Sequence, residues 1–228
     1  MSQTIRIKAV VDTVCPWCFI GKRRMETAIK QFSATHPNVT FQLQWFPYQL
    51  DPTRTETSNK LETYHKKFGK ERFNQMLPNV TAVAESEGIA LKFGGVISNT
   101  LDSHRLIWWA NQFGKQDQVV EKLFELYFEL NQDLGDHQSL AIAAEKAGLD
   151  KQKTLEFLKS NEGASQVKEL VRNNVFNQID GVPHYTINDK YGISGAQEAS
   201  TLVRAFEQIL KAESQLFFSE RVNNSTIH

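Results

Sequence analysis

Residues 14–19 read Val14-Cys15-Pro16-Trp17-Cys18-Phe19, and they hold both cysteines of a 228-residue chain. Just before them, Ile5 to Val11 is a β-branched run ending at Asp12, the pattern of a buried strand. Just after them, Cys18, Gly21, Met25, Ala28, Ile29 and Phe32 recur at helical spacing. Lys22, Arg23, Arg24 and Glu26 fill the other face and read as solvated charge. Val39, Phe41, Leu43 and Trp45 then alternate with Thr40, Gln42 and Gln44, a half-buried strand closed by Pro47 and Pro52. The first fifty or so residues therefore read strand, helix, strand, with the cysteine pair at the first strand-to-helix turn.

Working outward, residues from about 55 to 159 carry almost wholly helical signals. Asn99 and Asp102 resemble an N-cap and its reciprocal acid ahead of "LIWWANQF". "VVEKLFELYFEL" reads as a strongly apolar helix, and Gly148 stops "SLAIAAEKA". A further helix runs from near Gly163 to about Gln178. Then Asp180-Gly181-Val182-Pro183 leads into "HYTI", a turn at Asn188-Asp189, and "YGIS", which is a hairpin. A last helix is expected from Gln197 to Leu210, followed by a polar tail, "VNNSTIH", expected to be disordered. With the helical block set aside, what remains is βαβ-αββα, so the expected class is α/β with an all-helical insertion. The expected division is 1–52 and 161–212 for the two parts of the α/β domain, 53–160 for the insertion and 213–228 for the tail.

The totals exclude several function classes. Twenty-six basic and 26 acidic residues balance to zero, which argues against a phosphate-tracking, nucleic-acid-binding surface. A hydrophobic content of 40%, with 15 Phe and 4 Trp, marks a globular chain. No apolar run approaches the ~18 residues a membrane helix needs, and "MSQTIRIKAVVD" lacks the features of a signal peptide. The expectation is a cytoplasmic protein without membrane contact, a setting in which a structural disulfide is unusual.

The placement of the cysteines then points to chemistry. Pro16 suits the first helical position, where no backbone N–H is needed. Cys15 would sit at the helix N-cap, where free N–H groups and the positive dipole end favour thiolate over thiol. A lowering of two units from about 8.5 corresponds to roughly 2.7 kcal/mol of preference for the anion. Cys18, one turn on, would be the better buried of the two and able to attack a mixed disulfide formed at Cys15. An exposed nucleophile with a sheltered resolver is what thiol–disulfide exchange requires. Three other readings compete. The pair could be core cysteines, an inert disulfide, or half of a zinc site, which lacks a second CxxC or an H-x-x-x-H pair. Gly181-Val182-Pro183 reads either as a plain turn before a strand or as a cis-proline loop that faces Cys15 and offers backbone groups of Val182 to a bound peptide.

"DTVCPWCFIGKRR", "WFPYQLDP", "NTLDSHRL", "LYFELNQDLGD", "AAEKAGLD" and "GVPHYTINDKYGISGAQ" together span nearly the whole chain. In that order they resemble the DsbA-like thioredoxin-fold oxidoreductases, most closely the FrnE-like branch. The resemblance implies a thioredoxin fold interrupted by a helical domain, with Cys15 as nucleophile, Cys18 as resolving thiol and Pro183 as the cis-proline. Where that branch often has Thr or Phe after the proline, this chain has His184, and an imidazole near the thiols would alter thiolate stability or substrate fit. Relatives in the same superfamily include kappa-class glutathione transferases and 2-hydroxychromene-2-carboxylate isomerases, which typically have Ser where this chain has Cys15.

Other candidates are weaker. Asp12 is expected either to accept a proton from Cys18 or to cap the turn. Asn99, Asp102, His104 and Arg105 would contact a substrate or a glutathione carboxylate if they overhang the cleft, although capping alone explains the first two. Trp17 is expected at the substrate, Trp108 and Trp109 in the core, and His36, His65, His137 and His228 have no evident partners. The function expected from all this is a protein-disulfide oxidoreductase or isomerase acting on protein or peptide thiols and disulfides. It needs no metal or organic cofactor, and glutathione or a thioredoxin system restores its redox state. A glutathione-dependent isomerase or transferase and a redox-regulated chaperone or binding module are the alternatives.

Overall fold

The computed structural model describes residues 3–225. Strand β1 (Gln3–Val11) runs into helix α1 (Pro16–Thr35), and the chain returns as β2 (Val39–Pro47). β2 lies parallel to β1 in a register from Gln3 opposite Val39 to Val11 opposite Pro47. A helical stretch follows: α2 (Lys60–Phe68), α3 (Lys70–Ser86), α4 (Leu101–Ala110), α5 (Gln116–Phe124), α6 (His137–Lys146) and α7 (Lys151–Lys159). Two-residue strands, β3 (Ser58–Asn59) and β4 (Val96–Ile97), pair with each other inside it. The chain then rejoins the sheet through α8 (Ala164–Phe176), β5 (His184–Ile187), β6 (Tyr191–Ser194) and α9 (Ala199–Ser225). The sheet order is β2-β1-β5-β6, with β5 antiparallel to both its neighbours. This is a mixed α/β fold of the thioredoxin type with helices inserted after β2.

Alternation along β1 sends Ile5, Ile7, Ala9 and Val11 to the α1 and α9 side, where all four are buried. Each of the larger side chains contributes roughly 1.5–3 kcal/mol by burial. Phe32 of α1 meets Phe206 of α9 edge-on at 5.6 Å, and Phe206 also meets Phe41 of β2 at 5.1 Å. On its other flank α1 packs against the insertion, with Phe19 stacked on Phe124 at 5.1 Å.

Enclosure on two flanks corrects the reading of Lys22, Arg23 and Arg24 as a solvated face. Lys22 is 1% exposed and Arg24 7%. Lys22 Nζ pairs with Glu121 at 3.1 Å, Asp117 at 3.3 Å and Glu26. Burial pulls the lysine's pKa down, but these three carboxylates outweigh it and lift it above the ordinary value. Arg23 also binds Glu121, and Arg24 reaches Glu87, Glu198 and the Ala196 carbonyl. Long charged side chains thus tie α1 to the insertion and to the α9 side.

Other boundaries also differ from expectation. The last helix continues past Leu210 to Ser225, since no Gly or Pro interrupts 199–225. Only 226–228 of the tail, including His228, lie outside the described residues. The "VVEKLFELYFEL" helix is α only to Phe124 and π-helical over Glu125–Glu129. The capping box is not formed as expected. Asn99 Oδ1 accepts from the Leu101 N–H at 2.8 Å, whereas Asp102 turns to Arg105 and His137. Finally, the outer edge of β2 is closed by side chains. Gln116 accepts from the Trp45 N–H and donates to the Trp45 carbonyl, and Asn174 donates to the Pro47 carbonyl.

Candidate functional site

The turn after β1 fixes the first thiol. The Cys15 N–H donates to the Asp12 carbonyl at 3.0 Å, and the Cys18 N–H donates to the Cys15 carbonyl at 3.0 Å. Cys15 is the N-cap of α1, with extended φ −95° and ψ 115°, and Pro16 follows at the start of the helix. Its thiol makes no capping bond and instead donates to the Val182 carbonyl at 3.7 Å. The Val182–Pro183 peptide is cis, and Pro183 is buried against α1. Gly21 permits that approach. A Cβ there would lie 3.0 Å from Pro183 Cγ and would run into Tyr185 Oη. Both cysteines are free. Cys15 is 6% exposed and Cys18 0%, so the first is more recessed than an exposed nucleophile was expected to be, while the order of burial is as expected.

Burial pushes the Cys18 thiol well above its ordinary pKa, and the neighbouring Cys15 and the charge of Asp12 push the same way. Tyr185 lies beneath the pair with its hydroxyl buried and without a partner among the described residues. The sequence signal for it was the alternation of "HYTI", which sends Tyr185 inward and His184 outward.

The outlying candidates fall into three groups. Asp12 and His104 come together although 92 residues apart. Asp12 Oδ2 accepts from the Leu50 N–H at 2.7 Å, and Oδ1 lies 3.3 Å from His104 Nε2. Asn99, Asp102 and Arg105 are hydrogen-bonded within the fold. Arg105 donates to Asp102 and to the carbonyls of Phe157, Leu158, Ser160 and Glu162, tying α4 to the end of α7. Asp102 also meets His137 Nε2 at 2.8 Å, the partner that sequence reading did not find. His184 is not beside the thiols. Its position on β5 turns the imidazole to the opposite sheet face, where Nδ1 lies 3.1 Å from Ser194 Oγ and the ring lines a cavity with Lys8, Val10 and Phe46. Trp17 is half-buried against the core between the cysteines, Trp109 is stacked on Phe157 at 4.9 Å, and Trp108 lies against Gly163. Among the described residues no group of three His, Cys, Asp or Glu side chains is placed to hold a metal, and no helix is long and apolar enough to cross a membrane.

A family model described as DSBA-like thioredoxin domain matches residues 6–207. A crystal structure of a probable DsbA oxidoreductase from Streptomyces coelicolor is similar at 27% identity and a TM-score of 0.80, over 90% of this chain and 89% of that one. An uncharacterised Bacillus subtilis protein, YwbO, is 25% identical over 150 residues, 65% of this chain and 68% of its own length. A 2-hydroxychromene-2-carboxylate isomerase shares the fold at 15% identity and a TM-score of 0.65, over 92% of this chain and 98% of that one.

Proposed function

The chain belongs to the DSBA-like thioredoxin domain family of thiol-disulfide oxidoreductases, and on that premise we propose that it exchanges disulfides with protein or peptide substrates through the Cys15–Cys18 couple. Cys15 attacks a substrate disulfide from the helix N-terminus and forms a mixed disulfide. Cys18, one turn deeper, then attacks the Cys15 sulfur and releases the partner as a thiol. Pro183 and the Val182 carbonyl border the reacting sulfur and present main chain to the substrate. Trp17 contributes the apolar rim beside Pro16. The observation that carries the reading is the contact between the Cys15 thiol and the Val182 carbonyl at 3.7 Å, with Cys18 fully buried below.

Glutathione or a thioredoxin system resets the couple in this reading, and a cytoplasmic setting belongs to it. The FrnE-like branch fits the same motifs. The isomerase shares the fold, so the fold alone does not separate the two activities. The presence of both Cys15 and Cys18 favours dithiol chemistry.

The deciding experiment equilibrates the protein in graded glutathione buffers and follows Trp17 fluorescence, with Cys18→Ser beside it. A clean two-electron transition is expected, and Cys18→Ser should accumulate mixed disulfides on Cys15. A potential near about −270 mV marks a reductant and one near about −120 mV an oxidant. If no internal disulfide forms in any buffer, the reading fails in favour of a glutathione-dependent isomerase or a binding module.

A further inference from the structure

We propose that His104 is a positioning residue for this couple, acting through Asp12 as the outlet for the proton that Cys18 gives up; the inference rests on the oxidoreductase reading. The Asp12 and His104 side chains are each 1% exposed and meet at 3.3 Å. One oxygen of Asp12 is held by the Leu50 N–H at 2.7 Å, which leaves Oδ1, on the histidine, to exchange a proton. A buried carboxylate with no such outlet would trap the proton it took up. The His104 ring also lines a cavity of about 200 Å³ walled by Trp45, Phe46 and Trp108, and it is the one ionisable group in that lining. His104 therefore connects Asp12 to a space large enough for water.

The resolving step balances as follows. The Cys18 sulfur bonds to the Cys15 sulfur, and the bond from Cys15 to the substrate sulfur breaks. That electron pair leaves with the substrate as a thiolate. The Cys18 proton passes to Asp12, and one proton leaves through His104 to the cavity; in the reducing direction the path is reversed.

The groups around the pair are few. Cys15 is tied to Asp12 by its N–H, Cys18 at the start of α1 lies within reach of the Asp12 charge, and Asp51, Arg54, Tyr64 and Lys67 share with Asp12 the lining of a second, smaller cavity of about 60 Å³. Toward His104, β2, α5 and α8 present only uncharged side chains such as Gln44, Gln116 and Leu170. Asp102 and Arg105, on its own helix, are engaged with each other, with His137 at the start of α6 and with carbonyls at the end of α7. The smaller cavity is the competing exit, direct from Asp12.

His104→Gln keeps an amide donor for Asp12 but cannot carry a proton. Reduced protein is mixed rapidly with oxidised glutathione between pH 5 and 9, quenched with acid, and the glutathione mixed disulfide on Cys15 is followed by mass. His104→Gln should accumulate that species, closing about 100-fold more slowly near pH 6, with the deficit shrinking as pH rises. Equal closure rates for variant and wild type at every pH would place the exit in the smaller cavity and overturn the proposal. A uniform slowing at all pH, with a lowered melting temperature, would make His104 structural and overturn it too. Absence of closure in wild type would instead bring down the oxidoreductase reading beneath it.

Discussion

At Gly21 two effects compete. Alanine is the better helix former by about 1 kcal/mol. However, its Cβ would collide with the Tyr185 hydroxyl and sit 3.0 Å from Pro183 Cγ, between groups that are both buried. The collision wins, because neither the tyrosine ring nor the proline can retreat. Gly21→Ala should lose about 1–3 kcal/mol in urea unfolding and slow exchange at Cys15. Unchanged stability would show that the approach is slack. Cys18 yields a second expectation. Its folded pKa is raised, so the neutral thiol stabilises the reduced protein below the unfolded value of about 8.5, and that contribution is lost as pH climbs beyond it. The oxidised protein has no such thiol. The stability gap between the two forms should therefore shift toward the oxidised form above about pH 8.5, as read by paired denaturation curves. A gap constant from pH 7 to 10 would contradict the raised value.

Among the elements, the junction of α2 with the π-helical segment holds a buried cation. Lys60 is fully buried, donates to the Tyr127 carbonyl at 3.0 Å and lies 3.6 Å from the centre of the Tyr127 ring. Desolvation lowers its pKa to about 8. The unfolded chain binds that proton up to about pH 10.4, so folding is favoured increasingly as pH rises from about 8, by up to about 1.4 kcal/mol per unit. The stability difference between wild type and Lys60→Met should grow in favour of wild type over that interval. A difference that does not change with pH would exclude the buried charge. The π-helical turn itself left no mark in the sequence, because "ELYFE" continues an apolar helical pattern and only packing against α1 reveals the extra residue per turn. Much else was legible. β1, α1, β2 and the β5–β6 hairpin follow from period-2 and period-3.6 patterns, and the thiol turn and Val182–Pro183 are marked by proline and glycine. Lys22 and Arg24 were misread because three consecutive cations look solvated until a helix is known to be covered on two flanks. The Asp12–His104 pair was legible only as two separate residues, since no local rule joins positions 92 apart.

Across the whole molecule, the inserted helices and the sheet share one apolar core, running from Ile5 and Phe19 through Phe124 and Phe128 to Phe206. The arginine and lysine ties from α1 cross the same junction. Unfolding should therefore be a single transition, with tryptophan fluorescence and far-ultraviolet circular dichroism superimposing in urea. Two separated transitions would mean that the insertion is an independent unit. If Cys15 exchanges disulfides as proposed, its depth bears on the choice of client. A sulfur with 6% of its residue surface in contact with solvent, walled by Pro183 and the first turn of α1, cannot be met by a disulfide held flat on a rigid folded surface. It is open to a slender ligand such as a tripeptide, or to a chain still loose enough to bend its cystine outward. Under the proposed exchange reading, this access geometry would act as a sieve that sorts unfinished proteins from finished ones before any sulfur is exchanged.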